Sequence, residues 1–279
     1  MIDDAFVFGD SLVPIFLGFL SALVLSGLRL LPVVYILPIF TLAGYTAGLL
    51  RGGIVFGLGL FHIPIIWGAL GARPDLMAPI GDLPIFLVIG KELFIGIIIA
   101  CLLSLPFWIA TMAGNIIDAQ SGEQLGEQID PGTGQDTTAT GTYLGLVAMA
   151  IFLEAGFFSL ILGPIIVDSY VAWPLGQLIP VPGPLLVGFF AKLLGIMLYY
   201  ALTIIMPFVV GMFLIDIGLA YTSRFVPSIN PFFLSLSFKV LYLTLLHIMY
   251  ASTMDMHFLA LSDLFEIFDR LVNAGGRDG

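Results

Sequence analysis

The feature that most constrains this chain is a succession of apolar stretches, each near or above the roughly 20 residues that carry a helix across a bilayer. They run over residues 11–31, 32–50, 52–71, 83–112, 143–167, 185–220 and 232–260. Lipid offers the backbone no hydrogen-bonding partner, so a spanning segment must be a helix or a strand of a closed barrel. None of these stretches alternates apolar with polar residues as a barrel strand does. The pattern predicts an all-α, multi-helix integral membrane protein with about six or seven main helical segments. Breaks are expected at Pro32 and Pro38, Arg51-Gly52-Gly53, Arg73-Pro74-Asp75 and Val181-Pro182-Gly183-Pro184. Several stretches exceed one straight span, and Pro64, Pro106 and Pro207 inside them predict kinked or broken helices.

Composition agrees. Of 279 residues, 59% are hydrophobic and 10% are charged, where a soluble domain carries about 25% charged residues. That is too little polar surface to cover a soluble fold, so the surroundings must be lipid, apolar subunits or both. A net charge of −10 opposes nucleic-acid binding, which calls for a basic patch. The basic residues are spread evenly and give almost no positive-inside bias. Met1–Asp10 carries three aspartates and no Lys or Arg, unlike the basic start of a cleavable signal peptide. The first apolar run is therefore expected to be a retained helix, and Cys101, within another run, a small buried hydrophobe.

Arg29, Lys91, Glu92, Glu154, Lys192, Asp216 and Lys239 lie inside or at the margins of apolar runs. Each costs about 2.5 kcal/mol or more facing lipid at mid-bilayer, so each needs a partner, water or a polar lumen. Both signs occur on separate segments, which suits pairing between helices or between subunits. Lys91 and Glu92 are adjacent, about 100° apart around a helix, and are not expected to face one another. Snorkelling to the interface is the plain alternative for Arg29 and Lys192. A rival reading makes Glu154, Asp216 and Lys192 the coupling groups of a secondary transporter or ion channel. That reading calls for an internal hydropathy repeat, and none is evident. His62, His247 and His257 lack metal-ligand spacing. With no phosphate loop and no nucleophile elbow, no catalytic residue, metal or cofactor is expected, and the chain does not read as an enzyme.

Two segments differ from the rest. Residues 113–142 form the long polar stretch, with five acids (Asp118, Glu123, Glu127, Asp130, Asp136) and no base. A long segment of this kind inside a compact chain is usually functional or disordered. Gly122 and Gly126 permit tight turns, while Ile116, Ile117, Leu125 and Ile129 can seat it on an apolar wall. The tail from Phe258 to Val272 places apolar residues at helical spacing opposite Asp263, Glu266 and Asp269. An acidic face is repelled by anionic lipid, so this amphipathic helix is expected to dock on protein.

Two groups of residues carry a family resemblance. One runs from Lys91-Glu92-Leu93-Phe94-Ile95-Gly96 into Gly114-Asn115-Ile116-Ile117-Asp118-Ala119-Gln120-Ser121-Gly122 and Ile129-Asp130-Pro131-Gly132-Thr133-Gly134. The other is Arg224-Phe225-Val226-Pro227-Ser228-Ile229-Asn230-Pro231-Phe232, followed by the apolar run containing Lys239. Together these resemble the SctT/FliR family (SpaR, YscT and HrcT in other nomenclatures), export-apparatus subunits of type III secretion systems and bacterial flagella. Asp118-Ala119-Gln120-Ser121-Gly122 resembles the injectisome members more than the flagellar ones. Many injectisome relatives carry a basic residue where this chain has Ser121, so a role played there through positive charge is not available to it.

The resemblance implies a multi-pass subunit of the bacterial inner membrane, packed in a helical hetero-oligomer with SctR-type and SctS-type subunits. Part of that assembly is raised toward the periplasm. SctU-type and SctV-type proteins, the inner rod and unfolded export substrates are the further partners implied, besides membrane lipid. The implied function is to form and gate the entry channel for unfolded secreted proteins. The implied division is an R-type-like part over 1–182, including a plug-like loop in 113–142, an S-type-like hairpin over 183–262, and a tail over 263–279. The plug-like role falls on Asp118, Gln120, Gly122, Glu123, Leu125, Gly126, Glu127, Asp130 and Pro131. The hairpin turn falls on Arg224, Pro227, Asn230 and Pro231, where the prolines stiffen the chain and Arg224 can cap helix-end carbonyls.

Overall fold

The computed structural model describes residues 3–41, 47–70, 79–80, 83–122, 138–154, 156–157, 162–177, 183–226 and 230–250. Among these residues the chain is helical, with no pairing of extended chain beyond an isolated bridge between Ile80 and Leu83. The helices are α1 (Asp3–Ile36), α2 (Pro38–Thr41), α3 (Ala47–Leu70), α4 (Ile85–Ser121), α5 (Ala139–Glu154), α6 (Gly163–Ala172), α7 (Gly183–Thr222) and α8 (Pro231–Tyr250). Five segments are long and apolar enough to cross a membrane: Ile15–Ile36, Gly48–Gly68, Ile85–Ser121, Val187–Thr222 and Pro231–Met249. The protein is an all-α, multi-helix membrane protein, as its apolar runs require.

Two expected breaks do not occur. α1 continues past Pro32 to Ile36, and α3 runs straight through Arg51-Gly52-Gly53. Breaking a helix in apolar surroundings strands backbone groups at several kcal/mol each, more than the roughly 1 kcal/mol that a glycine costs inside a helix. The first break falls at Leu37, where one was expected beside Pro38, which opens α2. Arg51 fastens that corner: its Nε donates to the Phe40 carbonyl at 3.3 Å and its guanidinium lies over the Tyr35 ring. The run 143–167 is divided, because α5 ends at Glu154 and Gly156 takes the left-handed φ of 79° that glycine tolerates best. The polar stretch is shorter than its composition suggested. α4 runs on to Ser121 and α5 begins at Ala139, leaving 123–137 outside the described residues, as is the tail from residue 251.

α4 and α7 contain 37 and 40 residues, about 55 and 60 Å at 1.5 Å per residue. Each is about twice the roughly 30 Å of a hydrocarbon core. They carry Pro106 and Pro207 in their interiors, and α3 carries Pro64.

The chain forms two compact units. The first comprises Met1–Ser104, Gly156–Leu185 and Glu266–Gly279. In it α1 packs on α3, with Gly27 against Val55 and Gly59 so close to Ser26 that a Cβ would strike its hydroxyl. α4 comes closer still, since a Cβ on Gly96 would run into the Arg29 carbonyl and the Pro32 ring. Leu30, Val33, Ile66, Val88, Ile95 and Ile99 fill the resulting core. Without a hydrophobic drive between helices in lipid, such small-residue contacts and polar ties supply much of the association.

The second unit comprises Leu105–Ala155 and Leu186–Phe265. The end of α4 and α5 run antiparallel: Gly114 abuts the Gly141 backbone, Thr111 lies beside Gly145, and the Phe107 and Phe152 rings meet at 5.3 Å. α7 and α8 form the C-terminal antiparallel hairpin. Asn230 starts α8 as its N-cap, Oδ1 accepting from the Phe232 N–H at 3.1 Å, with Pro231 in the first helical position. Further along, Tyr242 lies across Gly211 and donates its hydroxyl to the Pro207 carbonyl at 2.7 Å, and the His247 ring packs on Phe208.

Replacing Gly211 should therefore drive the Tyr242 ring out of place. Gly211→Val is expected to cost about 1–3 kcal/mol, read as a lower unfolding midpoint of the detergent-solubilised protein. Gly218→Val, where a Cβ meets nothing within 4 Å, should leave the midpoint near that of the parent.

Candidate functional site: embedded charges and the base of the polar loop

In the first unit the charges converge. Arg29 of α1 is fully buried, and its Nε donates to Glu92 Oε2 of α4 at 2.7 Å. Its other nitrogens reach Ser169 Oγ at 2.7 Å and the Trp173 carbonyl at 3.1 Å, and the guanidinium stacks 3.7 Å above the Tyr170 ring. Burial raises the Tyr170 phenol far above its ordinary pKa, with the Arg29 charge opposing. The ring stays neutral and offers its face to the cation.

Lys91 also joins this cluster, against the helical-angle expectation. Its Nζ lies 3.1 Å from Glu92 Oε1, because a four-carbon stem can swing a charge around the helix. The ammonium donates to the carbonyls of Pro174, Leu175 and Gln177 at 2.6, 2.9 and 3.2 Å. Those bonds use all three of its N–H groups. Its attraction to Glu92 Oε1, which accepts no hydrogen bond, is thus purely Coulombic. The carbonyls lie just past the end of α6, where a helix dipole favours cations. Two cations are matched by one carboxylate and the acceptors that follow α6.

In the second unit the polar loop has a cross-tied base. Asn115 and Asp118, one turn apart on α4, face the start of α5. Asn115 Oδ1 accepts from the Thr138 hydroxyl at 2.9 Å, and Asp118 Oδ2 accepts from the Thr140 N–H at 2.7 Å. Thr138 caps α5, its Oγ1 accepting from the Gly141 N–H at 3.2 Å. The Asp118 carboxylate is placed where the amino end of α5 favours a negative charge. Ser121 is buried and donates to the Asp118 carbonyl at 2.9 Å, and Gly122 follows with a φ of 87°.

The hairpin holds the other side of this base. Lys239 of α8 pairs with Asp216 Oδ2 of α7 at 2.8 Å and donates to the Gln120 carbonyl at 3.1 Å. Ser235 donates to the second Asp216 oxygen at 2.5 Å. These groups border a cleft of about 440 Å³ lined by Gln120, Gly122, Asp216, Phe232, Ser235 and Lys239. A cation at the carboxyl end of α4 satisfies a carbonyl that the helix leaves open.

Other singled-out residues are not gathered here. Glu154 and Lys192 are exposed, with no hydrogen bond or ion pair among the described residues. Arg224 is exposed at the hairpin turn, and its guanidinium reaches no carbonyl among the described residues. His62 and His247 each bond the carbonyl four residues back, Leu58 and Leu243. Glu123, Leu125, Gly126, Glu127, Asp130, Pro131, Pro227 and His257 lie outside the described residues. Sequence reasoning passed over Ser169, Tyr170, Asn115 (beyond its place in a motif), Thr138, Thr140 and Ser235. Only the loop base left a signal: Asn115 and Asp118 at helical spacing before the loop, with Thr138 at a cap position after it.

Two measurements probe these ties. Glu92→Leu strands a buried guanidinium and is expected to cost about 3–5 kcal/mol, while Arg29→Met with Glu92→Leu should recover much of that loss. A double-mutant cycle on unfolding midpoints checks it. Asp118→Ala should cost about 1–2 kcal/mol and speed hydrogen exchange at the Thr140 and Gly141 amides.

Comparison with known proteins agrees with the motifs. The pattern of the bacterial export proteins, family 1, matches residues 20–265. The chain is similar to Yop proteins translocation protein T of Yersinia pestis, 33% identical over 222 residues, 80% of this chain and 82% of that protein. It is 29% identical over 224 residues to the surface presentation of antigens protein SpaR of Salmonella typhimurium, 80% of each chain. It is 26% identical over 186 residues to the flagellar biosynthetic protein FliR of Bacillus subtilis, 66% of this chain and 70% of that one. With nearly its whole length matched in this way, the chain belongs to the bacterial export proteins, family 1, the SctT/FliR family that its motifs resemble.

Proposed function

We propose that this protein is a core subunit of a type III protein export gate in the bacterial inner membrane, assembled with SctR-type and SctS-type subunits. In this reading the polar loop between α4 and α5 occludes the closed channel and moves aside for an unfolded chain. SctU-type and SctV-type proteins and the inner rod are the further partners. Part of the chain stands above the bilayer on the periplasmic side, in keeping with helices of 37 and 40 residues.

The observation that carries the reading is the mount of the loop. Its two roots are tied together by Asn115 and Asp118 with Thr138 and Thr140, and its first root is held to the hairpin by Lys239. A segment on such a base can be displaced without disturbing the helices beneath. The hairpin also suits a subunit enclosed by others, since 22% of an 18-residue apolar stretch of α7 and 17% of one of α8 are buried within the chain, against 72% of the corresponding stretch of α4. Identity of 33% to a Yop translocation protein against 26% to a flagellar one favours an injectisome. The transporter reading is weakened, because the Asp216 carboxylate is already engaged by Lys239 and Ser235.

Deletion of Leu125–Gln128 should raise ion conductance through the complex reconstituted with its R-type and S-type partners. Unchanged conductance would overturn the plug assignment, and solute transport by the lone chain would overturn the gate.

A further inference from the structure

We propose that the outward face of α7 receives an apolar helix of a neighbouring protein that presents a carboxylate to Lys192. One face of α7 is turned inward, where Phe189, Leu193, Ala201, Ile204, Phe208 and Met212 are buried. The opposite face carries Tyr199, Leu202, Met206, Val210, Phe213 and Ile217, each 50–67% exposed. Their separations of three, four, four, three and four residues set them in one stripe along the helix, the surface on which a second helix packs. Lys192 lies seven residues before Tyr199 and therefore on the same face.

The charge gives the occupant its chemistry. Every other cation inside the membrane-crossing segments is matched within the chain. Arg29 and Lys91 meet Glu92, Lys239 meets Asp216, and Arg51 meets a carbonyl and the Tyr35 ring. Lys192 has no hydrogen bond or ion pair among the described residues and stands exposed within Val187–Thr222. An ammonium on an apolar face is costly, and a carboxylate from a packed helix offsets that cost. Gly188 and Gly195 are on the Lys192 face, and a Cβ at either would meet nothing within 4 Å. That leaves room for a second backbone to come close, which lipid chains do not require.

The inference deepens the export-gate reading by naming the chemistry of one neighbouring subunit. A photo-reactive phenylalanine analogue in place of Met206, within the full assembly in native membranes, tests it. The expected adduct joins α7 to an apolar helix of a different protein that carries an Asp or Glu. Adduct yield should fall about tenfold or more in Lys192→Glu, persist in Lys192→Arg, and return when the partner's acid is changed to Lys. Adducts with lipid alone, adducts with a second copy of this chain, or a yield indifferent to Lys192→Glu would each overturn it. Conductance after loop deletion is a separate readout, so the contact and the gate can fail independently.

Discussion

The arrangement of the first unit depends on matching buried charge to buried acceptors. Arg29, Lys91 and Glu92 are nearly inaccessible, and a lone ion in that position would cost several kcal/mol. One carboxylate cannot fully offset two cations. The remainder is met by the carbonyls of Trp173, Pro174, Leu175 and Gln177, which follow the end of α6. Three segments distant in sequence are thereby held in one register. Gly96 makes this possible by letting α4 approach the α1 backbone at Arg29 and Pro32. Apolar packing alone tolerates sliding between helices, and a buried polar cluster does not.

The second unit applies the same chemistry to a different end. Helix termini there are closed by side chains from other helices: Asp118 and Asn115 serve the start of α5, and Lys239 serves the end of α4. The acidic segment 123–137 leaves from this base. The α7/α8 hairpin keeps much of its apolar surface uncovered by the rest of the chain.

Much of the architecture was legible beforehand because lipid leaves few options. Long apolar runs had to be helices. The errors have two causes. Pro32 and Gly52-Gly53 read as breaks by local propensity, yet the cost of unpaired backbone in apolar surroundings exceeds the local penalty, so the helices continue. Lys91 and Glu92 were read as facing apart because helical angle describes Cβ directions, whereas a lysine ammonium sits several bonds beyond. Ser169 and Tyr170 gave no signal, since nothing in their own segment reveals that Arg29 will arrive.

The sequence by itself determined the helical class, the approximate spans, the family motifs and the list of charges that could not be left in lipid. The class, the spans and the charges follow from composition and from periodicity along one chain, and the motifs from their resemblance to a family. Only the tertiary structure decided which charges meet: Glu92 with Arg29 and Lys91, Asp216 with Lys239, and neither Glu154 nor Lys192 with any described residue. Pairing is set by distances between helices, and those depend on glycine contacts and register across the fold, which no local stretch encodes.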